Sequence, residues 1–190
     1  MILMEIMMKR ASVLILTYLL SVGMASAGSF AVTSPQVERG SSIVNEQVFN
    51  GFGCQGENVS PALSWKNIPE GTKSFAVTMY DPDAPTGSGW WHWVMFNIPA
   101  NITNLTKGAG DPQANQAPTG SIQSRTDFGK TGYGGPCPPA GDKAHRYQFT
   151  VYALKTETLP LDENVSAAMV GFYLHQNMIE KAVLEANYGR

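Results

Sequence analysis

The sequence predicts a mainly β domain of α+β type, and three observations carry that expectation. Short β-rich runs bounded by Gly, Pro, Asn or Asp recur along most of the chain, a stretch of helical spacing follows them, and 43% of the 190 residues are hydrophobic. Strands first and helix afterwards, without strand–helix alternation, point to an antiparallel sheet with helices packed on it. A domain of this size buries roughly 70% of its unfolded surface, so the core needs no metal to form.

The N-terminal segment reads separately. Lys9 and Arg10 precede an apolar run over residues 11–24, and the small residues Ala25, Ser26, Ala27 and Gly28 follow. That is the pattern of a secretory signal peptide cleaved after Ala27. A membrane-spanning helix would need about 20 apolar residues and a positive flank after them, and the run has neither. Residues 1–27 are therefore read as a signal peptide starting at Met1, Met7 or Met8, and residues 28–190 as one domain that is not integral to a membrane after cleavage.

Residues 29–32, 43–49, 62–65, 74–81, 90–98 and 145–154 are the expected strands. The long interval 106–144 is rich in Gly and Pro without a period, as expected of a functional loop. From residue 164 to 186 Val165, Met169, Phe172, Met178, Ile179, Ala182 and Val183 recur near helical spacing, so one or two amphipathic helices capped by Asp162 or Asn164 are expected there.

Charge narrows the function. With 13 Lys+Arg against 15 Asp+Glu, a net charge of -2 and no run of like charge, neither nucleic acid nor an anionic membrane surface is an expected partner. Export would favour pairing of the two cysteines, Cys54 and Cys137, and two buried free thiols are the alternative. No C-x-x-C or His-x-x-x-His spacing accompanies them, so no metal or cofactor is expected.

Strand parity brings polar residues together. It groups Phe75, Val77 and Met79 with Asp81, Trp90 with His92, Val94 and Phe96, and Phe149, Val151 and Ala153 with His145 and Tyr147. Each apolar stripe carries a titratable residue at or near one end. If these strands are antiparallel neighbours, Asp81, His92, His145 and Tyr147 meet at one mouth. Two imidazoles, a carboxylate and a phenol over an apolar floor suit a small anionic or zwitterionic ligand. The alternative is that Asp81 caps the turn after it and each histidine satisfies a local backbone group. Trp91 and Trp93 are expected on the other face as core, Arg146 as a paired structural arginine, and His175 on the helix surface. Affinity for an anion is expected to rise as pH falls through about 6.5, where an unperturbed histidine titrates.

The segments DPDAP (residues 81–85), GWWHWVMFNIP (89–99), GGPCPPAG (134–141) and HRYQFTVYAL (145–154) resemble, in that order, the phosphatidylethanolamine-binding protein family, most closely its bacterial YbhB/YbcL, Raf-kinase-inhibitor-like branch. The resemblance implies a large antiparallel sheet packed against a smaller sheet and flanked by C-terminal helices, with an anion pocket at one edge. It places the family's pocket residues on Asp81, Asp83, His92, His145 and Tyr147, with Gly135, Pro136 and Pro138 lining it, and implies a special turn where Ala84–Pro85 is a candidate cis bond. Relative to the eukaryotic kinase inhibitors, one histidine of a pair is replaced by Trp91, and Cys137 interrupts the Gly-Pro stretch. With the leader, these readings describe an exported, periplasmic, non-enzymatic ligand-binding or regulatory protein. The alternatives are an inhibitor or partner-binding module acting on proteases or host proteins, or a hydrolase using Asp81 with His92 or His145.

Overall fold

A computed structural model describes residues 28–190; the expected signal peptide lies outside them. In chain order the strands are β1 (Ala31–Thr33), β2 (Asn50–Gly51), β3 (Cys54–Gln55), β4 (Leu63–Lys66), β5 (Ser74–Asp81), β6 (Trp90–Pro99), β7 (Asn104–Leu105), β8 (Ile122–Gln123) and β9 (His145–Leu154). Helix α1 (Ala167–Asn177) and β10 (Met178–Tyr188) follow. The large sheet is antiparallel in the order β10-β9-β5-β6-β8, β1-β4-β7 form a smaller sheet, and β2-β3 make a hairpin. This is the expected α+β architecture.

The large sheet is covered on both faces. Phe75, Val77 and Met79 of β5 and Phe149 and Val151 of β9 pack toward the small sheet with Phe30, Leu63 and Trp65. Ala76, Tyr152 and Leu154 project the other way, against Val170 and Leu174 of α1. Alternating side chains therefore feed two apolar layers, which is why the central strands read as nearly unbroken hydrophobic runs.

Strand β6 departs from simple alternation. Met79 pairs with Trp93 and Tyr80 with Trp91, so His92 is an extra residue without a partner on β5. This bulge resets parity: Trp93 and Met95 join the layer under the small sheet, while Val94 and Phe96 go to the helix side. The expected stripe of Trp90, His92, Val94 and Phe96 is thus split after His92, and only Trp91 of the expected pair lies opposite the histidine. A second bulge follows at Phe96 and Asn97, with Asn97 in the left-handed region at φ 58°.

Two further expectations are corrected. The helical stretch stops at Asn177, is capped by the Ser166 side chain rather than Asp162 or Asn164, and gives way to a strand. Ala182, Leu184 and Ala186 alternate inward opposite Val151, Phe149 and Tyr147, so pairing with β9 overrides the near-helical spacing. Residues 43–49 hold a 3₁₀ turn over Asn45–Gln47 instead of a strand, and Gln47 is buried there. Among the described residues, no helix is long and apolar enough to cross a membrane.

Cys54 in β3 and Cys137 in the Gly-Pro loop form a disulfide, with Cα atoms 6.0 Å apart and a sequence separation of 83. Replacing both with serine is expected to lower stability by about 4–5 kcal/mol in the chain-entropy treatment of a loop that long, measured by denaturant unfolding.

Candidate functional site

Asp81 ends β5, Trp90 opens β6 directly opposite it, and His145 opens β9, so three strand ends meet at one edge of the large sheet. A cavity of about 210 Å³ opens there, with Asp81, His92, His145 and Tyr147 among its walls. All four are almost fully buried, at 2%, 3%, 4% and 0% exposure. The Tyr147 ring lies between the two imidazoles, its centroid 5.2 Å from that of His92 and 6.5 Å from that of His145.

The hydrogen bonds assign the protons. His145 Nδ1 is 2.8 Å from Asp81 Oδ2, and Asp81 Oδ1 accepts from the Asp83 backbone N–H at 2.8 Å. His92 Nδ1 lies 2.7 Å from the Gly134 carbonyl and 3.1 Å from that of Gly135. Carbonyls only accept, so Nδ1 carries the hydrogen, and in a neutral ring Nε2 is left as an acceptor. Burial pushes the His92 pKa down to about 4, against the opposing pull of the Gly134 carbonyl and the Asp81 charge. The ring therefore remains neutral near pH 6.5, contrary to the unperturbed titration expected from sequence. The Tyr147 hydroxyl is held well above the ordinary phenol range, first by burial and then by the Asp81 charge. It adjoins Asp81 but makes no well-formed hydrogen bond among the described residues.

The Gly-Pro loop fixes His92 from the other side. Gly134 N–H donates to the His92 carbonyl, reciprocating the ring's bond to Gly134. A Cβ on Gly135 would lie 2.0 Å from the Gln47 carbonyl, so only glycine allows this approach. Gly135 contributes its carbonyl to His92 rather than a cavity wall, and Pro136 accepts from Phe49 N–H. Pro138 and Cys137 do line the cavity.

Asp83 is not brought into it. Its carboxylate receives Arg146 Nε, Arg146 NH2 and the Arg146 backbone N–H at 2.7–2.9 Å, and the guanidinium holds its pKa down to about 2. Arg146 is thus the paired arginine expected. No peptide bond among the described residues is cis, so Ala84–Pro85 is trans. The turn is closed by other means: Thr86 N–H donates to Ala84, and Gly89, at φ 69°, packs where a Cβ would meet Tyr80 Oη at 2.2 Å.

Three aromatic walls of the site are not assigned to it by strand parity or by the motifs. Trp90 lines the cavity while Trp93 is core and Trp91 packs toward α1 near Gly171. Phe52 and Phe128 also line it, from loops far apart in sequence. Phe128 follows Asp127, whose backbone N–H and carboxylate both bond the Trp91 backbone. The available signal for Phe52 was the turn sequence NGFG beside Cys54, which marks a hairpin tip on the cysteine that reaches Cys137.

The family profile described as "Phosphatidylethanolamine-binding protein" matches residues 33–189. The chain belongs to the phosphatidylethanolamine-binding protein family. It is 55% identical over 164 residues to YbcL of Escherichia coli, covering 86% of this chain and 90% of that protein, and 50% identical over 155 residues to YbhB of the same organism, covering 82% and 97%. The crystal structure of Escherichia coli YbcL superposes with a TM-score of 0.84 at 54% identity, over 86% of this chain and 99% of that one. Both the family and the fold implied by the sequence motifs are thereby borne out.

Burial of this family member's His92 has a thermodynamic consequence. An unfolded chain protonates the ring below about 6.5, whereas the folded protein resists until about 4. The stability contribution of the neutral ring is complete above 6.5, declines as pH falls and levels off below 4, a total loss of about 3 kcal/mol. Comparing His92→Gln with wild type in denaturant titrations across this range should show that slope removed. Gly135→Ala should destabilise by about 3 kcal/mol through overpacking against Gln47, by the same measurement.

Proposed function

We propose that this chain is an exported, periplasmic, non-enzymatic protein that binds a small phosphate-bearing anion at the Asp81–His92–His145–Tyr147 mouth. The observation that carries the reading is the buried Tyr147 hydroxyl, left without a well-formed partner on a cavity wall between two imidazoles. A buried polar group of that kind is costly unless a ligand or water satisfies it. Family membership supports a ligand-binding role, and the disulfide is compatible with the oxidising compartment that export would provide.

Proton inventory selects the ligand form. His92 Nε2 is an acceptor while its ring is neutral, and Asp81 adds negative charge nearby, so an anion that brings a proton fits better than a fully ionised one. A phosphate monoester loses its second proton near pH 6. Binding therefore tightens on acidification because the monoanion supplies the missing donor, not because His92 titrates at 6.5.

Asp81 also argues for binding over turnover. One carboxylate oxygen holds the Asp83 backbone and the other holds His145, which leaves it orienting the site rather than free to activate water. The hydrolase reading has no nucleophile assigned to it.

Isothermal titration with inorganic phosphate and phosphoethanolamine, in buffers free of phosphate, tests the proposal. Affinity for phosphoethanolamine, a monoester, should fall above about pH 6, with His145→Ala and Tyr147→Phe each weakening binding of both probes by about 1–2 kcal/mol. His175→Ala should leave it unchanged, because that residue is exposed on α1, away from the cavity, with its ring on the Gly171 carbonyl. Binding insensitive to both site variants would overturn the assignment.

A further inference from the structure

Hairpin β2-β3 turns through two residues, Phe52 at φ 52° and Gly53 at φ 85°, between the paired residues Gly51 and Cys54. Such a turn needs positive φ at both tip positions, which suits Asn, Asp or Gly at the first and disfavours a bulky aromatic there. The strain is not offset by burial, since Phe52 remains 68% exposed. Its ring touches Phe49 and Phe128, at centroid distances of 5.5 and 5.9 Å, and stands between the anion cavity and a larger groove of about 840 Å³ that both Phe52 and Phe128 also line.

The tip is held from two directions. The disulfide ties Cys54 to the Gly-Pro loop, whose Cys137 and Pro138 also line the cavity. Arg190 ties the same two segments without a covalent bond: Nε donates to the Pro138 carbonyl at 2.7 Å, NH2 to that of Phe52 at 3.2 Å and NH1 to that of Gly53 at 3.3 Å. A disfavoured backbone carrying an exposed aromatic ring, fastened twice beside a cavity, has the character of a functional position whose cost the surrounding structure supports.

We propose that Phe52 is a specificity-determining residue that contacts the organic substituent of a phosphate ester and so selects esters over inorganic phosphate. This rests on the anion-binding reading above and deepens it. The phosphate would occupy the polar end near Tyr147, and the ester group would leave through the mouth across the ring faces of Phe52 and Phe128 toward the groove. Inorganic phosphate has nothing to place there, and Phe52 contributes nothing to holding it.

The test compares phenyl phosphate with inorganic phosphate by isothermal titration at about pH 5, where both are monoanions, for wild type, Phe52→Tyr and Phe52→Asn, together with thermal unfolding of each. Asn tolerates the left-handed tip, so Phe52→Asn should unfold at the same or a higher temperature than wild type. Wild type should prefer phenyl phosphate by about tenfold, the size of one good aromatic contact. Phe52→Tyr should keep that preference, and Phe52→Asn should bring the two probes within about twofold while leaving inorganic phosphate unchanged. An equal loss for both probes in Phe52→Asn would make the residue a support of the pocket and overturn the proposal, as would a preference that survives in Phe52→Asn or is missing in wild type. Failure of wild type to bind either probe would overturn the anion-binding reading itself, and this inference with it.

Discussion

One extra residue in β6 governs both the core and the site. Because His92 has no partner on β5, the strand turns its next residue back to the face that Asp81 and His92 share. Trp93 then enters the layer beneath the small sheet, with its indole N–H on the Gln123 side chain, while His92 reaches the cavity beside Trp90. Without the bulge, strict alternation would put Trp93 on the helix side whenever His92 faced the cavity. The second bulge at Asn97 shifts parity again, returning Ile98 to the inner layer opposite Phe75. The strand thus supplies a polar site end and an apolar core end on one face.

Burial and proton placement are linked through that bulge. The histidine is held by the Gly134 backbone on both its carbonyl and its ring, so the Gly-Pro loop behaves as a short extension of β6 pairing rather than a free loop. The close approach of Gly135 to Gln47 then brings in the 3₁₀ turn, and Tyr133 completes the contact by donating its hydroxyl to the Gln47 carbonyl. Neutral His92 follows from this enclosure: two carbonyls fix its tautomer, and loss of water disfavours its cation. His145 differs because a carboxylate, not a carbonyl, receives its Nδ1–H. The two imidazoles are therefore unequal groups on one mouth.

Much of this was legible from periodicity. The limits of β5 and β9 follow from residues 74–81 and 145–154, where alternation is uninterrupted and turn formers flank both runs. Convergence of Asp81, His92, His145 and Tyr147 followed from parity and antiparallel pairing. What periodicity missed depends on unpaired residues or distant partners. A bulge leaves no mark in a strand of Trp, Val and Phe, so Trp93 was placed on the wrong face. The stretch 178–188 satisfies helical and alternating spacing together, and only β9 decides between them. Asp83 resembles a pocket residue by motif, yet Arg146 on the adjoining strand captures it.

The paired acids of the DPD turn show how neighbouring residues of one type acquire separate work. Asp81 is the last residue of a buried strand, and its side chain closes the turn through Asp83 N–H while orienting His145. Asp83 lies two residues on, at the surface, where Arg146 from the solvent-facing side of β9 grips it with two guanidinium nitrogens and a backbone N–H. Since His145 and Arg146 are consecutive on β9, they project to opposite sides and each meets one acid. The turn and the start of β9 are thereby stitched twice, once in the cavity wall and once outside it. The β5–β9 register is set by seven consecutive residue pairs from Ser74 to Tyr80, and the outer ion pair holds the turn beyond them beside the point where the inner carboxylate meets its histidine.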